Sequence, residues 1–274
     1  MRRLRLAWRL PRLVAVLLLG VLFSLLLALV GPLWRGDRLA LRLRLTRRFH
    51  AALAAALPFR VTLIGEIPRE PRLWVGNHVS WTDIPLLGRL LPLAFLAKAE
   101  VRGWPLLGWL AEQGGTLFIR RGGGDSAKIA EQLAERLGRP GALALFPEGT
   151  STDGTQVRTF HGRLLGSATQ AGVPLQPVAI RYLRGGRIDP LAPFIGDDDL
   201  PGHLLRLLGA EVAEVQIHLL PPIDSRGRSR SELAQLSQQA VAQALGVSPS
   251  PPAPLPSRER GGGVCKPAAP VVGP

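Results

Sequence analysis

Apolar residues concentrate near the start of the chain, in an uncharged stretch of 22 residues from Leu13 to Trp34. As a helix this stretch is about 33 Å long, enough to cross the hydrocarbon core of a bilayer. Basic sequence follows it at once and no small-residue cleavage site is evident, so we expect residues 1–36 to be an uncleaved anchor rather than a signal peptide. Arginines flank both ends, which leaves open whether the helix spans the membrane or enters and returns on one face.

The next segment, Asp37–Leu57, intersperses arginines with leucines and alanines and has high helix propensity. It could be an ordinary surface helix of the catalytic domain. Its position beside the anchor favours an interfacial helix over residues 37–58, with arginine heads at lipid phosphates and leucine stems below them.

Beyond residue 58, glycine and proline separate short apolar segments that alternate between strand-like and helix-like patterns. Strands are predicted at Arg60–Gly65, Leu73–Val75, Ala94–Leu96, Thr116–Ile119, Ala142–Phe146, Leu175–Arg181 and Val215–Leu220. Helices are predicted at Pro85–Leu91, Trp104–Glu112, Asp125–Leu137, Gly162–Ala171, Pro201–Leu208 and Ser231–Leu245. This alternation predicts an α/β domain over residues 59–247, a mostly parallel central sheet flanked by helices. The Pro/Gly-rich tail, residues 248–274, is expected to be disordered, with Cys265 incidental.

The chain is strongly basic, with 34 Lys+Arg against 20 Asp+Glu and a formal net charge of +14. One cysteine excludes an internal disulfide framework and a cysteine-rich zinc site. Aromatic residues make up 5% of the chain and do not interleave with basic ones, which argues against a nucleic-acid stacking surface. An anionic bilayer is therefore the expected partner.

The first candidate for chemistry is the segment Asn77–Asp83, directly after a predicted strand, where α/β sheets place their ligands. His78 and Asp83 could form a general base whose carboxylate orients the imidazole and stabilises its cation. The alternative is structural: Ser80-x-x-Asp83 resembles a helix capping box, and a loop histidine can be satisfied by backbone groups.

Two further candidates also stand at strand ends. The turn Phe146–Thr150 could display Glu148 and expose backbone N–H groups, or could be an ordinary β-turn with a solvated glutamate. Arg120 and Arg121 suit a phosphate or carboxylate; the alternative, in so arginine-rich a chain, is an ordinary solvated arginine pair. The glycines at 122–124 lack both nucleotide-binding patterns, so a nucleotide fold has no support.

In this order, the blocks resemble those of the glycerolipid acyltransferase family, whose best-known members are 1-acylglycerol-3-phosphate O-acyltransferases. The resemblance covers about residues 60–185 and rests on several motifs. They are N-H-x-S-x-x-D at Asn77–Asp83; Lys98, Glu100, Pro105 and Gly108; Gly115, Phe118 and Arg121; F-P-E-G-T at Phe146–Thr150; and Val173, Pro174, Pro177 and Val178.

The resemblance implies that His78 and Asp83 are catalytic, and that an acyl-CoA or acyl carrier protein donates the acyl group without a covalent enzyme intermediate, metal or other cofactor. Residues implied at the acceptor site are Arg121, Phe146, Pro147, Glu148, Gly149 and Thr150. The expected acceptor is the free hydroxyl of 1-acyl-sn-glycerol-3-phosphate, giving phosphatidic acid. The expected location is the inner membrane, with the catalytic domain on its cytoplasmic face.

One departure from the family pattern concerns the acceptor. F-P-E-G-T is often followed by Arg-Ser, whereas here Ser151 and Thr152 follow, so a fixed cation is missing at that position. This region resembles a bacterial branch that includes lyso-ornithine lipid acyltransferases, which makes lyso-ornithine lipid the alternative acceptor. A lipid transacylase or hydrolase using the same pair, and a non-catalytic membrane-binding protein, are the rival functions.

Overall fold

The computed structural model describes residues 1–30, 36–120, 126–139 and 142–251, without the side chains of 30 and 126–128. Its helices are α1 (Arg2–Val30), α2 (Arg38–Ala56), α3 (Asp83–Gly88), α4 (Ala99–Arg102), α5 (Leu107–Gln113), α6 (Ser126–Leu137), α7 (Gly166–Ala171), α8 (Leu200–Gly209) and α9 (Arg230–Leu245), with a 3₁₀ turn at Gly162–Leu164. Its strands are β1 (Phe59–Ile64), β2 (Leu73–Gly76), β3 (Leu93–Lys98), β4 (Leu117–Ile119), β5 (Ala142–Leu145), β6 (Leu175–Arg184), β7 (Arg187–Ile188) and β8 (Ala213–Leu219).

These strands form one sheet in the order β1-β8-β6-β2-β5-β3-β4, with β7 paired to β6. All neighbours are parallel except β6 with β8 and β6 with β7. The mostly parallel sheet flanked by helices that the sequence predicts is therefore confirmed. Each of the seven predicted strands is present, whereas β7 and the short helix α4 were not predicted.

Alternating strand residues supply two cores, one on each face of the sheet. On the face covered by α6, α7 and α9, Leu73 and Leu143 pack against Leu133 and Leu233. On the opposite face, Trp74 packs with Ala54 of α2 and Leu86 of α3. Burying both faces explains the near-continuous apolar runs of the central strands.

Helix α1 lies against the α/β domain along part of its length. Arg5 pairs with Glu211 at 2.6 Å. Arg9 donates to the carbonyls of Leu208 and Ala210 at 2.8 and 2.6 Å, and so caps the end of α8. Leu13 is buried with Ala56 and Leu208. The N-terminal part of α1 is thus fixed to the domain, while Trp8, Leu18, Leu22 and Leu29 remain exposed.

Helix α2 returns alongside α1 and packs on α3. Its N-terminus is capped by Asp37, whose carboxylate accepts from the N–H groups of Leu39 and Ala40 at 2.8 and 3.1 Å. A glycine allows its close approach to α3: a Cβ at Gly88 would stand 2.1 Å from Nδ1 of His50.

The first residues of the Pro/Gly-rich tail are part of the described chain. Pro249 pairs with Val157 in a β-bridge, and the carbonyl of Pro251 accepts from Thr159 Oγ1 at 2.8 Å. The rest of the segment expected to be disordered, including Cys265, lies outside the described residues.

Candidate functional site

The sheet topology brings together motifs that are far apart in the sequence. Strand β2 lies between β5 and β6, and runs parallel to both. The segment Asn77–Asp83 leaves the carboxyl end of β2, and the turn Phe146–Thr150 leaves the same end of β5. The two segments therefore meet at one edge of the sheet, where parallel α/β sheets bind their ligands.

His78 and Asp83 form a direct pair. Nδ1 of His78 lies 2.8 Å from Oδ2 of Asp83, which is fully buried. The same oxygen accepts from the backbone N–H groups of Val79 and Ser80 at 2.9 and 3.0 Å. Of the capping box considered as the structural alternative, only the hydrogen bond from the Ser80 N–H to Asp83 is present: α3 begins at Asp83, and the Ser80 hydroxyl has no hydrogen-bond partner among the described residues.

The Asp83 carboxylate determines which nitrogen of the His78 imidazole carries the proton. An ionised carboxylate only accepts hydrogen bonds, so Nδ1 of His78 carries the proton that it shares with Asp83. In the neutral imidazole Nε2 is then the unprotonated nitrogen, and it makes no hydrogen bond to any described residue. The His78 side chain is 21% exposed, which leaves it open to a substrate. This is the tautomer that a general base requires.

Phe146 packs face to face against the His78 ring. It stacks on the His78 ring with centroids 4.2 Å apart and an interplanar angle of 14°. The stacking fixes the orientation of the His78 ring.

Glu148 lies beneath this pair rather than at the surface. Its Oε2 accepts the backbone N–H of His78 at 3.0 Å, and Oε1 accepts that of Arg158 at 2.9 Å. Burial raises the pKa of Glu148 to about 7, because desolvation outweighs the two hydrogen bonds that favour the carboxylate. Glu148 connects the two motif segments, which the sequence did not indicate.

The rest of the turn is partly engaged. The N–H of Gly149, a residue with φ of 71°, donates to the carbonyl of Phe146 at 3.0 Å, and Pro147 accepts from the N–H of His161 at 3.0 Å. The N–H groups of Glu148 and Thr150 donate to no described residue. Arg121, the remaining predicted site residue, lies outside the described part of the chain.

Two contacts reach the site from β6, and sequence reasoning missed both. The Asn77 amide pairs with the backbone of Ile180, donating to its carbonyl at 2.9 Å and accepting its N–H at 2.8 Å. The Tyr182 hydroxyl donates to Oδ1 of Asp83 at 2.6 Å. A side chain 99 residues away in the sequence, with no motif around it, gives no local signal for such a contact.

An apolar cavity of about 210 Å³ lies beside the segment Asn77–Asp83. Trp81, Ile84 and Pro85 contribute the wall nearest the motif, and α1, α2, β3 and α5 supply most of the rest. The Trp81 indole donates to Nδ1 of His203 in α8 at 3.0 Å, which fixes its orientation in that wall. A cavity so lined suits a hydrocarbon chain.

An α/β sheet, an oriented His–Asp pair and an adjoining apolar cavity together fit an enzyme that acts on apolar chains. The family model described as Acyltransferase matches residues 58–181. The chain is 59% identical, over 89% of its own length and 95% of the relative's, to a lyso-ornithine lipid O-acyltransferase of Pseudomonas aeruginosa. It therefore belongs to the acyltransferase family and is an O-acyltransferase that acts on lysolipids.

Two further proteins are less similar to this chain. A 1-acyl-sn-glycerol-3-phosphate acyltransferase of Neisseria gonorrhoeae is 30% identical over 62% of this chain and 68% of its own. The crystal structure of the 1-acyl-sn-glycerophosphate acyltransferase of Thermotoga maritima superposes with a TM-score of 0.59 at 22% identity, covering 87% of this chain and 96% of that one. The latter likeness confirms the fold.

Proposed function

We propose that this protein transfers a fatty acyl group from a thioester donor to the free hydroxyl of lyso-ornithine lipid. The acceptor that the sequence motifs favoured, 1-acyl-sn-glycerol-3-phosphate, becomes the second candidate. Relatives named for lyso-ornithine lipid are 59% and 34% identical to this chain, against 30% for the Neisseria enzyme named for the phosphate acceptor.

The observation that carries this choice is the pair Ser151 and Thr152, where the family pattern often has Arg-Ser. The Ser151 hydroxyl donates to the carbonyl of Phe194. Thr152 donates its N–H to the carbonyl of His78 at 2.8 Å. Two neutral side chains thus lie beside the proposed catalytic segment, Asn77–Asp83. A phosphate headgroup would lack a fixed cation there, whereas an ornithine headgroup, with an amine and a carboxylate, has no phosphate to neutralise.

In the proposed reaction, Nε2 of His78 accepts the proton of the acceptor hydroxyl as its oxygen attacks the thioester carbonyl. Asp83 holds the imidazole in the required tautomer and stabilises the imidazolium. The tetrahedral intermediate then expels the thiolate, which takes the proton back from His78. The products are the acylated lipid and the free thiol of the carrier.

The oxyanion of the intermediate needs backbone donors near His78. Gly149 is excluded from that role because its N–H is bonded to the carbonyl of Phe146 within the turn. Glu148 and Thr150 have N–H groups without a described acceptor, so we assign oxyanion stabilisation to this part of the turn.

The apolar cavity is the proposed site of the acyl chain, since it adjoins the segment Asn77–Asp83 and its lining is predominantly apolar. Among the described helices, α1 alone is long and apolar enough to cross a membrane. We assign to α1 and the basic helix α2 the attachment of the enzyme to the inner membrane, with the catalytic domain facing the cytoplasm and its acidic donors.

The test is an acyl-transfer assay with purified enzyme in detergent. Labelled acyl-CoA and acyl carrier protein are each offered with lyso-ornithine lipid or 1-acyl-sn-glycerol-3-phosphate, and kcat/KM is compared. We expect at least about a 10-fold preference for lyso-ornithine lipid, equivalent to about 1.4 kcal/mol. The opposite preference would restore the phosphate acceptor. Release of free fatty acid without acyl transfer would identify a hydrolase.

A further inference from the structure

Tyr182 is the single tyrosine of the chain, and its hydroxyl bridges two residues of the catalytic segment. It lies 2.6 Å from Oδ1 of Asp83 and 2.8 Å from Oγ1 of Thr82. The side chain is 3% exposed and lies on the sheet face that carries α3. It therefore reaches Asp83 from inside the protein, on the side opposite His78.

The direction of these hydrogen bonds follows from the charges. Burial, together with the neighbouring Asp83 carboxylate, raises the pKa of Tyr182 well above its ordinary value, so the phenol keeps its proton. That proton is donated to Oδ1 of Asp83, which leaves the Tyr182 oxygen to accept from the Thr82 hydroxyl. The three groups form a chain in which each donor strengthens the next.

We propose that Tyr182 is a positioning residue of the acyl transfer, acting through Asp83 on His78. Three donors hold Oδ2 of Asp83, and Tyr182 holds Oδ1, so the plane of the carboxylate is fixed from both sides. The hydroxyl also draws charge towards Oδ1. It thereby limits how strongly Asp83 retains a proton on the imidazole. This role rests on the proposed function, since it matters only if His78 exchanges a proton with substrate.

A purely structural role for Tyr182 makes a different prediction. Its ring packs edge-on against Phe59, with centroids 5.3 Å apart, and a phenylalanine would preserve that contact. Tyr182→Phe therefore removes the hydroxyl and little else. If the residue served packing alone, the variant would keep the wild-type rate per folded molecule.

The experiment measures kcat, KM for both substrates and the pH–rate profile of Tyr182→Phe and Thr82→Val. The matched control is Ser237→Ala, which removes a buried hydroxyl bonded to the Leu233 carbonyl in α9, away from the site. We expect Tyr182→Phe to lower kcat about 10-fold with KM unchanged, because one hydrogen bond to the Asp83 carboxylate is lost. The acid limb of its profile should move to higher pH, because Asp83 with one donor fewer holds the imidazolium proton more strongly. Thr82→Val should show the same changes, smaller in size.

A wild-type kcat and acid limb in Tyr182→Phe would overturn the inference. His78→Ala, assayed in parallel, separates this from failure of the proposed function. An inactive His78→Ala beside an unchanged Tyr182→Phe rejects only the role of Tyr182. An active His78→Ala rejects the mechanism itself.

Discussion

The backbone N–H of His78 donates to Oε2 of Glu148 at 3.0 Å, a hydrogen bond that joins the two motif segments at the edge of the sheet. The second carboxylate oxygen holds the N–H of Arg158. Glu148 thus connects β2, β5 and the loop that follows the turn. These two hydrogen bonds, which hold the segment Asn77–Asp83 in place, account for a glutamate at this motif position without any contact to substrate.

Replacing Glu148 by glutamine should change how stability depends on pH. The folded protein holds the Glu148 proton up to a pKa of about 7, whereas an unfolded chain releases it near 4.5. The contribution of the Glu148 proton to the free energy of unfolding is therefore greatest below about pH 4.5. It declines by on the order of 1–3 kcal/mol as pH rises to about 7. Thermal unfolding in detergent at several pH values measures the difference between wild type and Glu148→Gln.

We expect the wild type to lose stability relative to Glu148→Gln as pH rises from about 4.5 to about 7. The variant carries a constant penalty as well, because an amide cannot accept from both backbone N–H groups. Glu70→Gln, which alters an exposed carboxylate, is the control and should parallel the wild type. If the difference in stability between wild type and Glu148→Gln is the same at every pH, Glu148 does not titrate in that range.

Substitution of the His–Asp pair should abolish acyl transfer and leave the fold and membrane attachment intact. His78→Ala removes the proposed base. Asp83→Asn keeps the shape but offers an amide that cannot accept from all of its present donors, and we expect a loss in kcat on the order of 10³-fold or more. Acyl transfer and vesicle flotation are measured on the same preparations. Retained turnover in His78→Ala would contradict the assignment.

Narrowing the cavity should shift chain-length preference towards shorter acyl donors. Ala97 of β3 lines the cavity, and Ala97→Phe would fill part of its volume of about 210 Å³. Competition between acyl donors of different length measures the shift. Ala51→Phe adds the same ring at an exposed position of α2, and its preference should match the wild type. If Ala97→Phe and Ala51→Phe show the same chain-length preference, the acyl chain does not bind in this cavity.

Restoring the family pattern after F-P-E-G-T should alter acceptor choice. Ser151→Arg combined with Thr152→Ser supplies the cation that the site lacks, and we expect the ratio of kcat/KM for 1-acyl-sn-glycerol-3-phosphate over lyso-ornithine lipid to rise about 10-fold. Ser151→Gln with Thr152→Ser adds bulk without charge and serves as the control. If both double variants change the ratio equally, charge is not what selects the acceptor.

The two ends of α1 should lie on the same side of the membrane. Arg5 and Arg9 bind the end of α8, and α2 brings the chain back onto α3, so both ends are fixed to one domain. After Cys265→Ser, single cysteines introduced at the exposed positions Trp8 and Leu29 can be labelled with an impermeant maleimide in sealed vesicles. Labelling from opposite sides would establish a spanning helix.

The sequence predicts the elements and the His–Asp pair because both have local signals. Apolar runs between glycines and prolines indicate each main strand, and His78 and Asp83 stand five positions apart in one motif. Strand β7 was not predicted because it is only two residues long and follows a tight turn at Gly185 and Gly186. The positions of Tyr182 and Glu148 depend on which strands are neighbours, and strand order is a long-range property without a local pattern.

Helix α1 has consequences for substrate as well as for membrane attachment. Leu13, Leu17, Gly20, Ser24 and Leu27 recur at helical spacing along the cavity wall. Deleting the N-terminal segment to obtain a water-soluble enzyme would therefore open that wall to solvent. The loss of activity that followed would not show that the enzyme needs a bilayer. If the proposed assignments hold, the turns of α1 from Leu13 to Leu27 have lipid on one face and the acyl chain on the other, so mutations on the two faces should separate membrane affinity from chain-length selectivity.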